Sequence, residues 1–195
     1  MSKKKTFFLL RHGKTGFPGC YIGSRDVPLS PEGVLQVGTL QTTFQSHNFD
    51  KILISPMLRC RQTCDIVLPD TAVTYSDNLR EVDFGRWEGL TFEQIAKQDP
   101  EIVTEWADGA PGFTFPDGES VASFGKRIKK IATELSQMQG EKILVVSHGG
   151  VIRVLLCHFL GIDPHNYLMF QVKKGTYSTV DHFGEQGVLT GFNLQ

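Results

Sequence analysis

Short apolar runs alternate along the chain with longer segments in which apolar residues recur at helical spacing. The runs at residues 7–10, 51–54, 73–75 and 143–146 have the length and composition of buried strands. Predicted helices follow the first, second and fourth of these runs. This order predicts an α/β fold, a three-layer α/β/α sandwich around a mostly parallel central sheet.

We predict the helices from their start signals. Ser30-Pro31-Glu32, for example, combines a capping serine, a proline at the first helical position and an acid in the first turn. The predicted helices span residues 30–47, 56–67, 120–138 and 151–160. Two further strands, at 177–182 and 188–193, complete the pattern with a turn at 184–187.

The segment from residue 79 to about residue 118 breaks this alternation and is rich in Gly, Pro, Trp and Phe. We predict an irregular excursion over the carboxyl ends of the strands, because excursions of this length commonly cover a site. Most of its aromatic residues are interpreted as a satellite core that holds it down. The chain as a whole is predicted to be one domain, residues 1–195.

Composition narrows the possible partners. The chain has 195 residues, is 40% hydrophobic and carries a formal net charge of -1, so we expect an ordinary buried core and no nucleic-acid partner. The apolar run at 7–10 stops at Arg11 and is too short for a signal peptide or a membrane span. The sequence leaves open whether the chain is a monomer or a homodimer.

The four cysteines have no disulfide-framework spacing, which fits a reducing cytoplasm. Cys60 and Cys64 lie four residues apart on a predicted helix, but no second Cys or His pair accompanies them. We interpret them as small apolar helix residues, and we expect neither a metal nor another cofactor.

Two predicted strands end in the same way, since one leads into Arg11-His12-Gly13 and the other into His148-Gly149-Gly150. The strand at 51–54 is followed by a helix whose first turn carries Arg59. Because ligands of open parallel sheets bind at the carboxyl ends of the strands, these side chains are expected to meet. A lone His or Arg is more often structural, but this cluster of donors suits a phosphoryl group.

Four separated motifs resemble those of the histidine phosphatase superfamily, which includes phosphoglycerate mutases, fructose-2,6-bisphosphatases and alpha-ribazole phosphatases. They occur in the order of the family between about residue 6 and residue 160. The motifs are Arg11-His12-Gly13, the 55–63 segment with Arg59, Gln62 and Thr63, the 79–89 segment with Glu81, and Ser147-His148-Gly149-Gly150.

The resemblance implies a metal-independent phosphoryl transfer in which His12 attacks phosphorus and carries the phosphoryl group. Arg11, Arg59 and His148 would clamp the phosphate oxygens, and Glu81 would serve as general acid and then as base. Thr15 and Gly149 are further candidates for phosphate binding, although Thr15 is also explained as a turn residue.

Two points within the resemblance stay open. Asp83 and Glu88 rival Glu81 for the acid role, and the preference for Glu81 rests on its place before the Phe-Gly-x-Trp-Glu-Gly run. Many mutases carry a phosphate-contacting Asn six residues after the nucleophile, where this chain has Pro18. Pro has neither a side-chain donor nor an amide hydrogen, so the loop around it must differ.

A phosphatase acting on a small phosphorylated metabolite is the favoured function, because a mutase needs a closed pocket and usually longer insertions. The segments at 21–30, 79–89 and 115–120 are most similar to alpha-ribazole phosphatases of cobalamin biosynthesis. A broad-specificity or sugar-bisphosphate phosphatase, a mutase and an inactive phosphate-binding module remain alternatives. A serine hydrolase at Ser147 is disfavoured, since no Gly-x-Ser-x-Gly elbow is present.

Overall fold

A six-stranded sheet forms the centre of the computed structural model, which describes residues 4–109 and 112–195. The strands are β1 (Lys5–Arg11), β2 (Lys51–Ile54), β3 (Thr74–Tyr75), β4 (Lys142–Ser147), β5 (Tyr177–His182) and β6 (Gly187–Leu194). They lie in the order β3-β2-β4-β1-β5-β6. The first four in this order pair in parallel, whereas β5 is antiparallel to β1 and β6 is antiparallel to β5.

Helices connect and cover the strands. They are α1 (Pro31–Gly38), α2 (Gln41–Gln45), α3 (Leu58–Val67), α4 (Phe92–Gln98), α5 (Pro100–Ala107), α6 (Val121–Gln137) and α7 (Gly149–Leu160). Short 3-10 helices lie at Asp77–Leu79, Gly85–Trp87 and Pro164–Met169. In the part of the chain that the structure describes, no helix has the length and apolar character that crossing a membrane requires.

Alternate residues of the central strands pack on opposite faces of the sheet. Phe7 and Leu9 of β1 belong to a core with α6 and α7, whereas Phe8 and Leu10 belong to a second core with α1, α2 and α3. This is the two-residue period of a strand that is buried on both sides. The three-layer α/β/α sandwich predicted from the sequence is thereby confirmed.

Two helix predictions need correction. The helix predicted from Ser30 to about residue 47 is divided into α1 and α2, because the chain turns at Thr39 and Leu40. There the Thr39 hydroxyl donates to the carbonyl of Gln36, a local bond that competes with helix continuation. The helix predicted from Pro56 begins at Leu58, since its N-cap residue Met57 is still extended.

The excursion at 79–118 is less irregular than predicted, and its positions 110 and 111 lie outside the described residues. It contains α4 and α5, and α4 begins with a capping box formed by Thr91 and Gln94. Its buried aromatic residues Trp87, Phe113 and Phe115 join the main core on the α6 and α7 side instead of forming a satellite core. Hydrophobic packing therefore fixes the excursion to the sheet.

Candidate active site

His12 lies directly after β1, and only 5% of its surface is exposed. Its backbone amide donates to the Ser147 carbonyl (3.0 Å), which continues the pairing of β1 with β4 beyond the strand. The ring nitrogen Nδ1 lies 2.8 Å from the carbonyl oxygen of Gly13. Because a carbonyl only accepts, Nδ1 carries the hydrogen, and Nε2 of the neutral ring keeps its lone pair.

The surroundings keep the His12 ring neutral. Burial lowers its pKa well below the usual value of a histidine, and the nearby charges of Arg11 and Arg59 lower it further. A neutral imidazole with an available Nε2 is the form that a nucleophilic histidine requires.

His148 follows β4 and faces His12, with the two ring centroids 5.1 Å apart. The side chain is fully buried, and its Nδ1 accepts a hydrogen bond from Arg59 Nε (3.2 Å). Its Nε2 lies 2.8 Å from the Ser55 hydroxyl. Since Arg59 only donates, His148 carries its hydrogen on Nε2 and donates it to Ser55.

Arg59 lies in the first turn of α3 and is fully buried. Its Nη1 donates to the carbonyl of Arg25 and its Nη2 to the carbonyl of Gly23, each over 2.8 Å. These bonds use one N–H of each terminal nitrogen, so each retains a second one. The guanidinium therefore joins the 23–25 loop to His148 and keeps donors for an anion.

Arg11 ends β1 and carries an unsatisfied donor. Its Nη1 donates to the carbonyl of Val172 (2.6 Å), but Nε is buried without a hydrogen-bond partner among the described residues. Burial lowers the Arg11 pKa to about 10; the charge of Glu81 opposes this shift, and that of Arg153 adds to it. A buried donor in a cluster of cations is a suitable position for an anion.

Glu81 is held at the N-terminus of α7. Its Oε2 accepts a hydrogen bond from the Gly150 amide (3.0 Å), where the helix dipole also favours a negative charge. A Cβ on Gly150 would lie 2.5 Å from Glu81 Oε1, and one on Gly149 would lie 2.9 Å from Arg11 Cζ. Because Gly149 and Gly150 have no Cβ, the Arg11 guanidinium and the Glu81 carboxylate can both lie against the N-terminus of α7.

The rival carboxylates have structural contacts. Glu88 is buried and its Oε1 accepts hydrogen bonds from the amides of Gly23 (2.9 Å) and Ser24 (2.8 Å). Asp83 Oδ1 accepts from the Ser24 hydroxyl and from the Gly85 amide, each over 2.9 Å. Both therefore brace the turn that also supplies the Gly23 carbonyl to Arg59.

The loop after His12 contains Thr15, for which the sequence left two explanations, and Pro18, which departs from the pattern of many mutases. Thr15 is buried and forms an isolated antiparallel bridge with Leu29. Pro18 is exposed in a turn. The loop is tied to α3 through Thr63, whose hydroxyl accepts from the Gly13 amide (3.2 Å) and donates to the Arg59 carbonyl (2.7 Å).

Sequence reasoning missed two cations near the site. Lys174 precedes Gly175, whose amide donates to the carbonyl of His12 (3.0 Å). The charge of Lys174 contributes to the lowered pKa of His12. Arg153 lies one turn into α7. Its charge adds to the effect of burial in lowering the pKa of Arg11. No motif marked either residue, because only the packing of the 171–175 segment and of α7 brings them here.

The hydroxyl and thiol groups near this sheet edge do not have the features of a nucleophile. The Ser147 hydroxyl donates to the Leu79 carbonyl (2.7 Å), which occupies the hydrogen that a nucleophilic serine would give to a base. Burial raises the pKa of both Cys60 and Cys64 to about 12, so these thiols stay protonated. Within residues 4–109 and 112–195, no group of three or more His, Cys, Asp or Glu side chains could hold a metal ion.

Comparison with known proteins assigns the family. The model of the histidine phosphatase superfamily (branch 1) matches residues 7–195. The chain belongs to this superfamily. The adenosylcobalamin/alpha-ribazole phosphatase of Escherichia coli strain K12 is 31% identical over 179 residues, which cover 89% of this chain and 88% of that protein.

Two solved structures support the same assignment. The alpha-ribazole phosphatase from Shigella flexneri superposes with a TM-score of 0.89 at 29% identity, covering 96% of each chain. The phosphoserine phosphatase from Entamoeba histolytica, in complex with 3-phosphoglyceric acid, gives 0.86 at 29% identity and covers 98% of each chain. This histidine phosphatase is a phosphoric monoester hydrolase, as the sequence predicted.

Proposed function

We propose that this histidine phosphatase hydrolyses a small phosphomonoester through a phosphohistidine at His12. The observation that carries the proposal is the state of the His12 ring, which is neutral, donates from Nδ1 to Gly13 and is surrounded by cations. Nε2 attacks phosphorus, the bond to the leaving oxygen breaks, and the phosphoryl group passes to the histidine.

The donors around His12 stabilise the transferring group. Arg11 offers its unpaired Nε, and Arg59 offers the second N–H of each terminal nitrogen. Gly149 contributes the first amide of α7, and Thr15 is the further donor of the His12 loop. His148 keeps Arg59 oriented and donates from Nε2 to a phosphate oxygen when this replaces the Ser55 hydroxyl.

Glu81 moves the protons. In the first step its carboxyl group protonates the oxygen that leaves phosphorus. In the second step the resulting carboxylate takes a proton from water and the water oxygen attacks phosphorus. The bond between phosphorus and His12 Nε2 breaks, which releases inorganic phosphate and restores the neutral histidine. Glu81 suits both steps because its carboxylate lies beside the helix end that also faces Arg11, whereas Asp83 and Glu88 brace a turn.

As substrate we propose alpha-ribazole 5'-phosphate. The relative from Escherichia coli supports it, and so do the aromatic side chains near the cations. Tyr21 packs edge-on against Phe84 (centroids 5.0 Å apart) and lies 6.1 Å from Trp106. Burial raises the pKa values of Tyr21 and Tyr167, and the charge of Arg153 opposes both shifts. These aromatic side chains suit a leaving group that carries a planar ring system.

The chemical step is tested by trapping the intermediate. After brief mixing with 32P-labelled phosphomonoester, the wild-type protein should carry acid-labile, base-stable label. His12→Ala should carry none and lose at least about 10³-fold in kcat/KM, whereas the exposed His165→Ala control should keep both. Activity should survive EDTA, and activity restored only by added Mg²⁺ or Zn²⁺ would instead require a metal mechanism.

The substrate is tested by comparing kcat/KM for alpha-ribazole 5'-phosphate, phosphoserine, fructose 2,6-bisphosphate and 3-phosphoglycerate. We expect the first to be preferred by at least about tenfold, which corresponds to about 1.4 kcal/mol in transition-state binding. Equal values for all four would indicate a broad-specificity phosphatase. Binding of phosphate or vanadate without any turnover would indicate an inactive binding module.

A further inference from the structure

Arg127 lies on α6 between the exposed residues Lys126 and Lys129. Its side chain instead turns toward the 78–81 segment and is only 19% exposed. Nη1 donates to the carbonyls of Asn78 (3.0 Å) and Arg80 (2.6 Å), and Nη2 donates to the carbonyl of Glu81 (2.9 Å). One guanidinium thus binds three carbonyls within four residues.

Glu119 completes the arrangement. Its carboxylate accepts from Arg127 Nε (2.8 Å) and Nη2 (2.9 Å), so all five N–H groups of the guanidinium have acceptors. The Glu119 amide in turn donates to the carbonyl of Asp83 (2.9 Å). Arg127, through its side chain, and Glu119, through its backbone amide, therefore fix the chain on both sides of Glu81.

The two ends of Glu81 are consequently held by different helices. Its backbone carbonyl is bound to Arg127 on α6, and its carboxylate is bound to the Gly150 amide on α7. We propose that Arg127, anchored by Glu119, is a positioning residue that keeps the Glu81 carboxyl group directed at the leaving oxygen. This inference rests on the role proposed for Glu81.

The geometry specifies arginine at this position. A lysine has one nitrogen with three donors, which cannot span three carbonyls and a bidentate carboxylate. Arg127→Lys therefore preserves the charge but removes the fork, and Arg127→Met removes both while keeping most of the aliphatic stem. Glu119→Gln is a milder variant that leaves one carbonyl oxygen as acceptor.

The test uses aryl phosphates whose leaving groups range from dinitrophenol to unsubstituted phenol. A phenolate that is a good leaving group needs no proton, so Arg127→Lys and Arg127→Met should lower kcat/KM less than about threefold for dinitrophenyl phosphate. For phenyl phosphate we expect a loss of about 30-fold or more, since small misplacements of a catalytic group are costly. The exposed Lys130→Met on the same helix should change neither value.

A combined variant separates positioning from stability. If Arg127 acts through Glu81, Arg127→Met added to Glu81→Gln should cost less than about twofold beyond Glu81→Gln alone. A further loss equal to that of Arg127→Met by itself, or equal losses with all leaving groups, would overturn the proposal. Circular dichroism and thermal unfolding establish whether each variant is folded at the assay temperature. If an Arg127 variant is unfolded, the same leaving-group series is measured with Glu119→Gln.

Failure of the proposed function gives a different result. If wild type and Glu81→Gln show the same dependence on leaving group, Glu81 is not the acid and the premise is wrong. If Glu81→Gln steepens that dependence but the Arg127 and Glu119 variants do not, the acid stands and the positioning role alone is refuted.

Discussion

Arg59 donates a hydrogen bond from Nε to Nδ1 of His148 across 3.2 Å, and both side chains are fully buried. This bond sets the tautomer of His148, because a guanidinium cannot accept. Burial lowers the pKa of His148 well below its usual value, and the charge of Arg59 lowers it further. The cation and the neutral histidine thus form one unit beside His12.

Replacing Arg59 by Lys should separate this unit. The lysine keeps the charge but cannot donate at once to Gly23, Arg25 and His148. We expect kcat/KM to fall by about 10²-fold or more, which steady-state assays with a phosphomonoester would measure. Arg61→Lys, two positions further along α3, is the matched control and should stay within about threefold; equal losses in both variants would contradict the role of the Arg59 fork.

Glu81 and Glu88 should respond differently to the change from Glu to Gln. Glu81→Gln should slow poor leaving groups by about 10²-fold and good ones little, since it removes the transferable proton. Glu88→Gln should instead lower the free energy of unfolding by about 1–3 kcal/mol, because it weakens the buried bonds to Gly23 and Ser24. Urea unfolding and leaving-group series measure the two effects, and exchange of the two patterns would make Glu88 the acid.

Gly150→Ala should disturb Glu81 without breaking α7. The added Cβ would lie 2.5 Å from Glu81 Oε1, so the carboxylate must move away from the Gly150 amide. We expect a loss of about tenfold or more with poor leaving groups. On α6, a Cβ at Gly125 meets nothing within 4 Å, so Gly125→Ala should keep activity and add about 0.5–1 kcal/mol of stability. If Gly150→Ala has the same dependence on the leaving group as the wild type, Glu81 does not need its contact with the Gly150 amide.

Buried histidines should make the protein less stable in mild acid. The folded-state pKa values of His12 and His148 lie well below 6.5, whereas the unfolded chain binds these protons near its ordinary histidine pKa. As pH falls below about 6.5, the unfolded state therefore binds more protons, and each histidine removes about 1.4 kcal/mol of unfolding free energy per pH unit until its folded pKa is reached.

Urea unfolding between pH 8 and pH 5 checks this slope. His12→Ala should lose stability less steeply below about pH 6.5 than the wild type does, because one buried titrating group is gone. Replacement of an exposed residue that is not a histidine, Lys130→Met, should retain the wild-type slope. Parallel curves for wild type and His12→Ala would mean that His12 is protonated equally in the folded and unfolded states.

Local signals in the sequence were sufficient for most elements. The continuous apolar run at residues 7–10 predicted a buried strand, and the capping serine at position 120 predicted the start of α6, because both signals depend on neighbours in the chain. The break between α1 and α2 and the two helices inside the excursion were missed. Their signals are short, since they consist of Gly38-Thr39 in one case and the Thr91 capping box in the other.

The sequence by itself determined the strand-end positions of Arg11, His12 and His148 and the family motifs, because the carboxyl ends of parallel strands meet at one edge. Only the tertiary structure decided which atoms of these residues face one another, and it alone brought Lys174, Arg153 and Arg127 to the site. Those three cations lie on segments whose local pattern is that of an ordinary helix or loop. Their positions follow from how α6, α7 and the 171–175 segment pack against the sheet, which is a long-range property that no local spacing encodes.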